Sequence, residues 1–219
     1  ASGGTFNVAV GDESGTAITT GDHNVAVGYE SLKTEDAHGH NTAVGSQALK
    51  TLNAGADGKN TAVGAFAGKL MTEGVQNTLI GGLAGDALTH ADFNTVVGYQ
   101  ALSADTFGHR STAIGYSALN AQNFASSTNS NNTAVGYHSG LSVSTGIRNT
   151  IIGSEAGDAL TDADDNVAIG ALALSADRKG NKSTAIGRGA LKVQDFSSST
   201  DSNNTAVGYS AGESVTTGQ

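Results

Sequence analysis

The sequence predicts an all-β fold: a parallel β-solenoid, or β-roll, of twelve coils of about 17 residues each. Three observations lead there. A pentad of the form NTAVG recurs twelve times, the steps between copies are nearly constant, and aliphatic residues and glycines keep fixed places within each step.

Numbering the first pentad residue as position 0, the copies begin at Asn7, Asn24, Asn41, Asn60, Asn77, Asn94, Ser111, Asn132, Asn149, Asn166, Ser183 and Asn204. Asn7 to Asn24 is a step of 17, and the other steps equal it apart from one of 19 and two of 21. A fixed period of this size marks a solenoid, in which each coil covers its apolar side only by stacking on its neighbours.

Strand alternation sets positions +1 and +3 on one side of the pentad and +2 on the other. Position +3 is never polar. It reads Val10, Val27, Val44, Val63, Ile80, Val97, Ile114, Val135, Ile152, Ile169, Ile186 and Val207, a β-branched column expected to form the core of stacked strands. Position +4 is always glycine: Gly11, Gly28, Gly45, Gly64, Gly81, Gly98, Gly115, Gly136, Gly153, Gly170, Gly187 and Gly208. A turn that excludes Cβ is expected there. Position +7 is always alanine or serine, marking a second tight place.

Position +8 alternates between glycine and leucine. Where it is glycine, +11 is aliphatic (Ile18, Met71, Leu88, Val143, Leu160, Val215). Where it is leucine, +11 is usually polar (Glu35, Asp105, Gln122, Asp177, Gln194), with Leu52 the exception. Each coil is therefore expected to deliver one further core side chain from either of two places, through a different turn, which conserves core volume.

These phases define a super-repeat of four coils, with 60–131 and 132–203 as full copies, 7–59 as a shortened copy, and a final coil at 204–219. The whole of 1–219 reads as one rod. At about 4.8 Å per coil it is roughly 58 Å long, with bumps from the longer coils about 19 Å apart. The opening at Ala1 and the final coil at Asn204 suggest a piece of a longer protein.

Composition narrows the function classes. The chain has 31 glycines, 5% aromatic residues and no proline, cysteine or tryptophan. That gives little bulk for a globular core, and no thiol chemistry or disulfide framework. Only 14% of residues are charged and the aliphatics keep phase, which argues against disorder. A net charge of −9 argues against nucleic-acid and anionic-membrane partners. No apolar run is long enough to span a membrane, and no leader is evident.

A lone rod of thin coils buries little apolar surface against the entropy of ordering each coil. A three-fold bundle resolves this, with one β-branched column filling each coil and another meeting its counterparts on the axis; which does which stays open. All five tyrosines, Tyr29, Tyr99, Tyr116, Tyr137 and Tyr209, sit at +5, placed to cover coil edges or subunit seams, or to stack on a glycan.

The pentads with their continuations, NTAVGSQAL at 41–49 and NTVVGYQAL at 94–102, resemble repeats in phage tail fibres and in YadA-like heads of trimeric autotransporter adhesins. The resemblance covers nearly the whole chain. It implies a left-handed parallel β-roll trimer displaying binding surfaces away from a virion or cell. The longer coil and the YQAL continuation look more like the phage-associated form. What the resemblance implies is a structural, receptor-facing fibre segment in a virion tail fibre, or else at a cell surface. Its partners would be two further copies and a surface receptor or glycan, with no cofactor and no catalysis. Val97–Leu102 also resembles one hexapeptide of left-handed β-helix acyltransferases, although only one such hexapeptide occurs per coil. Ice binding is a further class, but it would favour paired threonines where this pentad has one.

No Ser-His-Asp set or carboxylate pair stands out, so no catalytic residue is assigned. His38-Gly39-His40 would place two imidazoles on one side of an extended segment, and in a trimer could gather around an axial metal; a solvated loop is the simpler account. Asp158, Asp162, Asp164 and Asp165 could form a calcium loop but lack the glycine-bearing DxDxDG pattern. Phe124 and Phe196 occupy equivalent places in the long coils, either anchoring the inserts or contacting a receptor.

Overall fold

The computed structural model describes residues 3–218. They form a parallel β-solenoid of twelve turns. Each pentad contributes one short strand, from Val8–Val10 to Thr205–Val207, and the twelve join in chain order into one parallel sheet. The register never slips: Thr42 pairs with Thr61, Ala43 with Ala62 and Val44 with Val63, and the same pairing recurs along the rod. Each strand is short because the pentad glycine ends it, with φ between +127° and +142° in all twelve copies. The glycines stack on one another as well. A Cβ at Gly81 would lie 2.5 Å from the carbonyl oxygen of Gly98 in the next coil, so both conformation and space exclude a side chain.

The core column is at +2, which corrects the expectation for +3. Ala26, Ala43, Ala62, Leu79, Val96, Ala113, Ala134, Ile151, Ala168 and Ala185 are fully buried. On the opposite side of the same strands, Val27, Val44, Val97, Ile114, Val135, Ile169 and Ile186 face outward and half-buried, while Val10, Val63, Ile80, Ile152 and Val207 are exposed. The reason is the thinness of the coil. Each turn leaves room for small side chains, alanine above all, and the bulkier β-branched residues take the outer face.

The compensation between +8 and +11 holds, but not through two different turns. Leu32, Leu49, Leu102, Leu119, Leu174 and Leu191 have φ between 46° and 54°, and the glycines at +8 have φ between 50° and 63°. The backbone path is the same in both designs. In the glycine coils the +11 side chain folds back into the space a leucine would take: a Cβ at Gly85 would lie 2.7 Å from Leu88 Cδ1. These six leucines at +8 thus sit in the left-handed region, at about 1–2 kcal/mol each, held there by their burial. Positions −1 and +6 are also left-handed throughout, for example His40, Phe93, Gln47 and Gln100.

The polar side chains at +11 are not outside. Glu35, Asp105, Gln122, Asp177 and Gln194 are all fully buried. In both full super-repeats the aspartate of one coil accepts a hydrogen bond from the glutamine of the next, Gln122 Nε2 to Asp105 Oδ2 at 2.5 Å and Gln194 Nε2 to Asp177 Oδ2 at 2.6 Å. The backbone amides of Gly108 and Phe124 donate to Asp105 Oδ1. These bonds hold the inserts of the longest coils. Each insert forms a two-strand ladder, Gly108–His109 with Thr128–Asn129 and Gly180–Asn181 with Thr200–Asp201. Phe124 and Phe196 are 5% and 6% exposed, so they anchor the inserts to the rod.

Position 0 is an internal asparagine ladder. Asn60, Asn77 and Asn94 are buried; each Oδ1 accepts the backbone N–H of the next residue in the column, at 2.9 Å for the amides of Asn77 and Asn94. Each Nδ2 donates to a carbonyl near the end of its own coil, as from Asn77 to Ala91 at 2.8 Å. A buried peptide edge is thereby satisfied without water. Where serine replaces asparagine, other side chains fill the shorter reach: Ser111 bonds to Ser130 at 2.6 Å, and Asn132 donates to Gln122 Oε1 at 2.8 Å. Ser183 and Ser202 repeat the pattern at 2.6 Å.

Candidate functional surfaces

No cavity opens among the described residues. The first surface is the open face of the twelve-stranded sheet. It carries two parallel rows: threonine or valine at +1 and valine or isoleucine at +3. Ile80 and Ile152 are 39% and 37% exposed in the middle of the rod. The rows have one member per coil, so their spacing along the rod is that of β-strands, about 4.8 Å. Only one row carries hydroxyls.

Next to this face runs the +5 column. Tyr99, Tyr116 and Tyr137 stack in sequence, with centroids 5.8 and 5.6 Å apart and planes within 19° and 17°. Each is about half exposed. At these centroid separations the stacked rings are offset along the rod, so each keeps a half-exposed aromatic surface beside the strand face. His138 extends the stack against Tyr137 at 3.9 Å.

The histidine motif separates. His40 stacks on His23 at 5.0 Å, which in turn stacks on Phe6 at 4.9 Å, forming a surface ladder at position −1. His38 instead turns toward Glu35, its Nδ1 3.6 Å from Glu35 Oε1. The two imidazoles therefore have different surroundings. Glu35, Asp36 and His38 form the one group of potential metal ligands among the described residues.

The aspartates of 158–165 do not converge. Asp165 is held by Arg148 through two bonds of 2.6 and 2.8 Å, which keep its carboxyl below the usual range. Asp164 Oδ1 accepts the Ile147 N–H at 2.8 Å, and Asp162 faces Lys179 at 3.4 Å. Asp158 is partly covered, and burial raises its pKa. Each carboxylate has separate company, which removes the calcium-loop reading.

A charge cluster in the first three coils is a feature that the sequence reading misses. Glu30 accepts from Lys33 at 2.7 Å, Lys50 at 2.6 Å and Gln47 at 2.7 Å, while Lys33 also bonds to Glu13. These hydrogen bonds, Lys33 foremost, lower the Glu30 pKa to about 2. The signal is present in the repeat: these residues sit at +6 and +9 of adjacent coils, which stacking makes neighbours. No protein family, curated protein or solved structure matches the chain.

Proposed function

We propose that the chain is a rod segment of a homotrimeric fibre that serves surface attachment, with a phage tail fibre as the first assignment. The observation that carries this is the outward row of valine and isoleucine at +3. A row with one apolar residue per coil, at strand spacing along the whole rod, is matched level by level only by a partner with the same pitch. Another copy in register is such a partner, and three copies place the same residue at each level around an axis. Outward apolar side chains repeated along one face, five of them exposed, support an interface there. Tyr99, Tyr116 and Tyr137 then border the seam. The inserts at 122–131 and 194–203 are rich in serine, threonine and asparagine, anchored by Phe124 and Phe196, and suited to receptor or glycan contact.

The test is sedimentation equilibrium on the chain and on Ile80→Lys and Ile152→Lys. The expected mass is three times 21.7 kDa for the natural sequence, and the lysine variants should dissociate. In a lone rod these exposed positions would accept lysine without consequence. A stable monomer, or lysine variants that stay trimeric, overturns the proposal.

A further inference from the structure

We propose that Glu35, Asp36 and His38 form a binding site for a divalent transition-metal cation of the zinc class. Their donor atoms lie within 4.8 Å of one another. The argument rests first on Glu35. Its side chain is fully buried, and its two carboxylate oxygens accept backbone N–H groups of His38 at 3.1 Å and Ala54 at 3.2 Å. Neither donor is charged. The +11 neighbours are Ile18 below and Leu52 above, both apolar. A buried carboxylate without a cation is costly, and burial pushes its pKa up.

The second line is the ring facing it. His38 Nδ1 is shielded from solvent and has no hydrogen-bond partner, and it points at Glu35 Oε1 across 3.6 Å. A nitrogen and an oxygen ligand atom at that separation leave room for an ion between them after a small side-chain rotation, since zinc binds such ligands at about 2.0–2.2 Å. The exposed Asp36 carboxylate closes a third side, and water completes the shell.

The third line is a comparison within the chain. The equivalent coils of the full super-repeats have Asp105 and Asp177 in place of Glu35, and Gly108 and Gly180 in place of His38. In those coils a Cβ at the glycine would run into the aspartate carboxylate. There the carboxylate is also bonded by Gln122 or Gln194, whose counterpart here is Leu52. The Glu35 coil therefore departs from its copies at linked positions: the amide partner is lost, an imidazole replaces a glycine, and a second carboxylate, Asp36, stands where Thr106 and Arg178 stand elsewhere. A donor set that includes imidazole nitrogen favours zinc-like ions over calcium or magnesium.

The experiment is calorimetric titration of the chain with zinc chloride near neutral pH, alongside melting curves with and without the ion. One ion per chain is expected, with a rise in melting temperature. His38→Ala and Asp36→Asn, both at the surface side of the site, should weaken affinity about ten-fold or more and abolish the rise. His23→Ala and His40→Ala should bind as the natural sequence does. No binding overturns the proposal, as do undiminished affinity in His38→Ala and loss of binding in His40→Ala. Circular dichroism without metal confirms that each variant is folded before its affinity is compared.

Discussion

Replacing Asn77 by alanine tests the internal ladder directly. The side chain supplies an acceptor for the Asn94 backbone N–H at 2.9 Å and for Asn94 Nδ2 at 3.2 Å, and a donor to the Ala91 carbonyl at 2.8 Å. Both neighbouring asparagines are 1% exposed, so no solvent replaces what is removed. Two buried backbone groups lose a partner, at about 1–3 kcal/mol each, giving a total of about 2–6 kcal/mol. Asn77→Ser should be nearly as damaging. Serine is tolerated at Ser111 and Ser183 only because Ser130 with Gln122, and Ser202 with Gln194, reach in to complete the bonding. Since a solenoid can open locally, urea unfolding by circular dichroism should be paired with hydrogen exchange at the Asn94 amide. Loss of protection there is expected together with a lower urea midpoint. A destabilisation below about 0.5 kcal/mol with Asn94 protection unchanged would refute the reasoning.

Gly81→Ala should cost about 3 kcal/mol or more, because it combines strain at φ +133° with a clash against the Gly98 carbonyl; a midpoint within error of the natural sequence would contradict the stacked-glycine account. Lys59→Asn, at a left-handed position on the surface, should stabilise by about 0.5–1 kcal/mol in the same urea assay, since asparagine tolerates that conformation better. Melting temperature against pH should show two opposed regimes. Burial raises the pKa values of Glu35, Asp86, Asp105 and Asp158, so the folded state binds protons more readily than the unfolded one and stability should hold or rise as the pH falls toward the ordinary carboxylate range. Glu30 is lowered from 4.5 to about 2, so its contribution is present above 4.5 and is lost as the pH falls toward 2; Glu30→Gln should flatten that acid limb, and an unaltered limb would count against the lysine cluster.

Much of the fold is legible because each coil repeats its chemistry. The pentad marks the strand and its end, and the small residue at +7 marks a buried place, where Ala48, Ala101 and Ser139 are inaccessible. The anchoring of Phe124 and Phe196 is one of two readings that the insert equivalence allows. What misleads is hydrophobicity taken residue by residue. Valine and isoleucine at +3 look more like core than alanine at +2, yet the coil interior is too narrow for a bulky residue from every position. Likewise the burial of Asp105, Gln122 and Glu35 is not legible from their polarity at +11, because it depends on partners one coil away. The candidate metal group is half visible: the HxH motif marks His38, but pairs it with His40 and not with Glu35.

By itself, then, the sequence determined the period, the strand, the glycine turn and the exchange of core volume between +8 and +11. These are local or periodic properties, and a periodic chain stacked on itself repeats them at every level. The tertiary structure decided which face of the strand is inside, which turns are left-handed, and which polar groups lie buried beside one another. Those depend on the width of the closed coil and on contacts between coils, where a side chain's surroundings come from the turns above and below it.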